Sequence, residues 1–154
     1  MSTEPMRRFK TTGEWLGSFG YDLLVYCPRC RQCASVHFHP LGSPGSGSSV
    51  ERTCVCIHCG YSDKRLVSSL PAYSYRTDWH RRLDLWLQVS CCGHVLWALN
   101  DKHLAFLDRY VSARLRERRP DEKWGGANTA LAGRLPRWLT SGKTATRPYN
   151  AYKS

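Results

Sequence analysis

Apolar and polar residues alternate with period two in several short runs, which puts successive side chains on opposite faces of a strand. Ala34-Ser35-Val36-His37-Phe38 is the first, preceded by the short apolar, β-prone run Leu23-Leu24-Val25-Tyr26, and Val50-Glu51-Arg52-Thr53-Cys54-Val55 and Lys64 to Ser68 supply two more strand-like segments. The longest alternation sets Leu83, Leu85, Leu87 and Val89 against Asp84, Trp86, Gln88 and Ser90, and predicts one strand. Joined to Val95 to Leu99 through Cys91-Cys92-Gly93-His94, it reads as a β-hairpin with Gly93 at the turn. The period then changes. Asn100 or Asp101 caps a helix expected to run to about Arg119, where Pro120 ends it. Leu104, Leu107, Val111 and Leu115 share one stripe of that helix, suited to pack on the hairpin. Lys102, Arg109 and Arg116, at steps of seven, form a basic seam on the opposite side. A shorter helix from Asn128 or Thr129 follows, and Pro136 breaks it or opens a new turn carrying Trp138 and Leu139.

The first two pairs of strand-like runs each bracket a Cys-x₂-Cys: Cys27-Pro28-Arg29-Cys30 and Cys56-Ile57-His58-Cys59-Gly60. Two residues between cysteines let the backbone fold back as a tight knuckle that aims both sulfurs at one point. Two such knuckles supply four thiolates, the donor set of a structural zinc site. Zinc is preferred to iron as the commoner occupant of such a set, and no position is left open for a catalytic water. The 25 residues between Cys30 and Cys56 exceed the roughly 15–20 of the usual spacing. A Gly/Ser-rich insertion over 42–49 accounts for the excess. A frame using Cys33 in place of Cys27 with Cys30 remains open, and Cys54 shares a face with Cys56, which suits burial beneath the metal.

The residues from Leu23 to Tyr61 resemble a zinc ribbon of the kind found in transcription factor IIB, rubredoxin and many ribosomal and helicase modules. Out to about Trp138, with Leu85-Trp86-Leu87-Gln88, Cys91-Cys92-Gly93 and Leu135-Pro136-Arg137-Trp138, the chain is similar to small bacterial proteins labelled transcription factor IIB-type zinc ribbon or replication-restart helicase-like. The resemblance implies a fold and a metal, not an activity. The first knuckle of many ribbons continues with Gly, whereas Arg31 follows Cys30 here. The expected fold is therefore α+β. A zinc ribbon with rubredoxin-like knuckles spans 21–70 and is extended by the hairpin and packed with C-terminal helices over 71–140. A mobile arm (1–20) precedes it and a basic flexible tail (141–154) follows.

At 154 residues, 42% hydrophobic and with six tryptophans, the chain can build a core. Met1 to Gly20 has no signal-peptide pattern and no apolar run is long enough to span a bilayer, so a cytoplasmic location is expected. In that compartment eight cysteines read as metal ligands and buried thiols before disulfides. The net charge of +11 is uneven, with +4 over residues 1–100 and +7 over 101–154. A basic C-terminal third favours an acidic partner, DNA or RNA first and a nucleic-acid-associated protein next, with solubility alone as the plain alternative. Lys102, Arg109, Arg114, Arg116, Arg118 and Arg119 are the candidate contacts, made to phosphate and so indifferent to sequence. The competing class is an adaptor that docks a protein through the ribbon edge or the Trp86 and Trp97 hairpin.

Other candidate chemistry is thinner. Cys91, Cys92 and His94 read as buried thiols in a turn, as a second metal site with Cys33, His37 or His39, or as a redox pair. Tyr73, Tyr75, Arg76, Trp79, Arg81 and Arg82 could stack bases or merely pack over the ribbon. Ser141-Gly142-Lys143-Thr144 ends like a phosphate-binding loop but has Arg137 where the motif needs Gly. His80 and His103 have no partner at a catalytic spacing, and no nucleophile, base and orienter set forms, so no catalysis and no small-molecule substrate is expected.

Overall fold

The computed structural model describes residues 8–10, 16–42, 49–68, 77–78, 83–91, 93–113, 115–117, 135 and 137–140. Their elements in chain order are β1 (Arg8–Lys10), a 3₁₀ turn (Leu16–Phe19), β2 (Asp22–Tyr26), β3 (Cys33–Leu41), β4 (Ser49–Val55), β5 (Ser62–Val67), β6 (Thr77–Asp78), β7 (Leu83–Asp84), β8 (Leu87–Cys91), β9 (His94–Ala98), α1 (Asp101–Ser112), β10 (Leu115–Glu117) and α2 (Arg137–Thr140). The protein is mostly antiparallel strand with little helix, broadly α+β. No helix among the described residues is long and apolar enough to cross a membrane.

The chain divides into two units. Gly17–Gln88 and Trp97–His103 form one. Its centre is a four-stranded antiparallel sheet in the order β2-β3-β4-β5. Burial alternates along β2, β3 and β4. Leu23 and Val25 oppose Val36 and Ala34, and Val36 and Phe38 oppose Cys54 and Arg52. All of these except the guanidinium of Arg52 are apolar or thiol, and all are at most 4% exposed. Buried Arg52 is balanced by Asp63 on β5, 3.4 Å away, which also takes Arg65 at 3.1 Å. The outer edge of β2 is covered. Leu24 N–H donates to Leu99 O and Leu24 O accepts from Trp86 N–H, both at 2.8 Å, and Leu85 bridges Val25. At the opposite edge β5 is largely exposed, with its Lys64 tied to Glu51 at 2.9 Å.

Two expectations for this unit change. Strand β3 does not stop at Phe38. It pairs with β4 out to Leu41↔Ser49, so part of the long interval between the knuckles is extra strand, and 43–48 of the expected insertion lie outside the described residues. The run Leu83 to Val89 is not one strand: Leu83–Asp84 pairs with Thr77–Asp78, Leu85 bridges Val25, and only Leu87–Cys91 enters the hairpin. Three different partners compete for its backbone, which period two alone cannot register.

The second unit comprises Met1–Leu16, Val89–Leu96 and Leu104–Ser154. Within it β1 pairs in parallel with β10, in the register Arg8↔Leu115 to Lys10↔Glu117. Residues 1–20 are therefore not wholly an arm, and the helix does not reach Arg119. It ends at Ser112, whose hydroxyl donates back to Asp108 O at 2.6 Å, and the chain then turns extended to pair with β1. The hairpin of β8 and β9 forms as expected, with Gly93 at φ 77°, a value that favours glycine. On α1 the buried positions are His103, Phe106, Leu107, Tyr110 and Val111, a wider stripe than the leucines alone suggested. The helix expected from Asn128 or Thr129 lies outside the described residues. Beyond Pro136 the new turn is α2, which buries Leu139.

Candidate metal centre

The two knuckles have one hydrogen-bond pattern. Cys27 N–H donates to Gln32 O at 2.7 Å and Arg31 N–H to Cys27 O at 3.0 Å. At the same spacings in the second knuckle, Cys56 N–H donates to Tyr61 O at 2.9 Å and Gly60 N–H to Cys56 O at 3.0 Å. Both loops then pass through left-handed backbone at the residue after their second cysteine, Arg31 at φ 64° and Gly60 at φ 72°. A Cβ at Gly60 would meet nothing within 4 Å, so the glycine is there for its torsion and not for space. Arg31 accepts the same torsion at a cost of roughly 1–2 kcal/mol for a side-chain-bearing residue.

The sulfurs converge. The Sγ atoms of Cys27, Cys30, Cys56 and Cys59 all lie within 4.8 Å of one another. Across the knuckles Cys27 faces Cys59 at 3.7 Å and Cys30 faces Cys56 at 3.6 Å. A disulfide requires about 2.05 Å, whereas a tetrahedral thiolate site with metal–sulfur bonds of about 2.3 Å has edges of about 3.8 Å. The observed separations match the second figure, so the cluster fits a structural metal site. Cys27 and Cys56 are buried, while Cys30 and Cys59 are partly exposed.

Electrostatics point the same way. Burial opposes ionisation of Cys27, but backbone N–H groups at Cys30 and Arg29, the latter 3.4 Å from its sulfur, and the thiols of Cys59 and Cys56 bring it down to about 7. At Cys30 the Gln32 backbone favours the thiolate, but burial and the three neighbouring thiols override it and push the group up to about 12. Four thiolates this close cannot all ionise without a cation among them.

The frame using Cys33 as a ligand is not adopted. Cys33 lies outside the cluster, its backbone carbonyl 3.8 Å from Cys56 Sγ, and burial, with Asp101 and Cys56 nearby, raises its thiol. Cys54 is fully buried on the face it shares with Cys56. The four-cysteine group is the one such cluster among the described residues. Cys91 is buried, His94 stacks on Trp138 at 4.7 Å and 9°, and Cys92 lies outside the described residues. His37 pairs instead with Asp22.

The basic candidates are only partly placed. Lys102 and Arg109 are exposed on α1. Arg116 sits on β10, so the seam at steps of seven does not continue on one helix. Arg114, Arg118 and Arg119, like 71–76, 79–82 and 141–154, lie outside the described residues. What the periodicity missed is a set of polar and aromatic groups. Asn100 donates to Phe19 O and Asp22 O at 2.8 and 2.7 Å and caps α1 by accepting from His103 N–H at 2.9 Å. Arg31 lies over the Tyr26 ring, 5.2 Å from its centre, and Tyr26 contacts Trp86 at 4.8 Å.

No family model, curated protein or solved structure matches this chain.

Proposed function

We propose that this protein is a small zinc-ribbon module that binds nucleic acid, or a nucleic-acid machine, with zinc in a purely structural role. The observation that carries the metal assignment is the four-sulfur cluster with edges of 3.6 and 3.7 Å. Such a donor set also accepts iron, and zinc is preferred because its closed tetrathiolate sites are the common structural form. Thiolate ligation needs reduced cysteines, which supports a reducing compartment such as the cytoplasm. The +7 carried by 101–154, together with exposed Lys102 and Arg109, supports phosphate contacts with little sequence preference.

Salt titration tests this reading. Affinity for duplex DNA should fall on a straight log–log line in salt, with a slope of about −0.9 per phosphate neutralised. Joint replacement of Arg109, Arg116 and Arg119 by Gln should flatten it. Binding to neither single nor double strands at low salt refutes the nucleic-acid reading. The adaptor reading then leads, favoured by the β5 edge, which pairs with no further strand among the described residues and leaves Leu66 at 69% exposure.

A further inference from the structure

The two knuckles share hydrogen bonds and left-handed torsion but differ in one respect: the residue at the strained position is Gly60 in one and Arg31 in the other. Glycine takes this torsion without strain at both, so Arg31 carries a side chain where its own backbone gains nothing from one. It holds no metal and supplies no core. Its guanidinium lies against one face of Tyr26, which itself contacts half-buried Trp86. Arg29, at the knuckle tip, is exposed as well. The other basic side chains of the ribbon are engaged, Arg52 and Arg65 by Asp63 and Lys64 by Glu51, whereas Arg29 and Arg31 make no ion pair among the described residues. Neither knuckle contains an acidic residue.

We propose that the metal end of the ribbon is a contact surface for single-stranded nucleic acid, with an unpaired base stacked on the Arg31 guanidinium and a phosphate held by Arg29. A guanidinium already resting on an aromatic ring has lost much of its freedom before binding. Its outer plane can take a base while its edge donors reach the backbone. An acidic peptide would use the two charges but not the plane. This surface uses other residues than the basic C-terminal region proposed above and rests on that reading only in the nature of the partner.

The test is fluorescence anisotropy of the full-length, metal-loaded chain with a labelled oligouridylate and with a duplex of equal length. Arg31→Gly keeps the torsion and removes the side chain. It should retain its metal, melt no lower than the parent, and bind the single strand roughly tenfold more weakly, with a smaller loss on duplex. Arg31→Lys keeps the charge without the plane and should recover only part of the loss. Unchanged single-strand affinity in Arg31→Gly overturns the proposal. So does loss of metal by that variant, which would make Arg31 a counter-charge for the thiolates, and so does equal competition by polyglutamate. The triple Arg109, Arg116 and Arg119 variant reads the C-terminal region separately: a defect there with none in Arg31→Gly leaves the broader reading standing and this one refuted. A parent that binds no nucleic acid refutes both.

Discussion

Acid should destabilise the unit built on the four-stranded sheet through His103 in a window that its surroundings define. His103 is 3% exposed, stacked on Phe19 at 5.2 Å with Trp97 edge-on at 6.0 Å. Its Nδ1 accepts from Leu99 N–H at 3.1 Å, so the ring proton resides on Nε2, which has no hydrogen-bond partner among the described residues. Adding a second proton would break the Leu99 bond and charge an apolar pocket, and burial accordingly lowers the group from 6.5 to about 4. The unfolded chain takes up that proton near pH 6.5, while the folded chain does so only near pH 4. Above about pH 6.5 both states are neutral and stability is complete. As the pH falls from there it is lost at about 1.4 kcal/mol per unit, levelling off below about pH 4 at a total near 3 kcal/mol. Urea denaturation across that range, on the parent and on His103→Gln, isolates the effect, because acid acts on the thiolate cluster equally in both. The parent should lose about 3 kcal/mol relative to the variant. A constant difference between them from pH 7 to pH 4 would refute the buried, neutral assignment.

Asn100→Ala removes a helix cap and two bonds to the carbonyls of Phe19 and Asp22, and should cost about 3 kcal/mol by chemical denaturation, whereas Asn100→Ser, which keeps the cap, should cost about 2. Asp63→Asn leaves the buried Arg52 guanidinium short of its counter-charge and should destabilise by about 2–3 kcal/mol in the same assay. Lys64→Ala breaks only a solvent-exposed pair, and a change beyond about 1 kcal/mol would contradict that description.

The sheet strands β2 to β4 and the two knuckles were legible in the sequence because their determinants are local. Period-two burial at Ala34, Val36 and Phe38 and the paired Cys-x₂-Cys spacings each lie within a few residues. The failures trace to partners far along the chain. Nothing around Leu115 announces that Arg8–Lys10 will pair with it and end the helix at Ser112. Nor does Leu85 reveal that Val25 will take it out of a continuous strand. Asn100 was readable as a helix cap, but its second role toward Phe19 and Asp22 spans some 80 residues of sequence. At the candidate metal centre the spacing picked out the four cysteines that cluster. Arg31 could be noticed only as an arginine where a knuckle favours glycine, and its place over Tyr26 needed the folded loop.

The most direct test of the central claim is metal analysis with X-ray absorption on protein purified without added metal. One zinc per chain, bound by four sulfurs at about 2.3 Å, is the predicted result, and Cys56→Ser should lose it. Metal-free protein that is nonetheless folded, a nitrogen or oxygen ligand in the first coordination sphere, or full zinc retention by Cys56→Ser would contradict it.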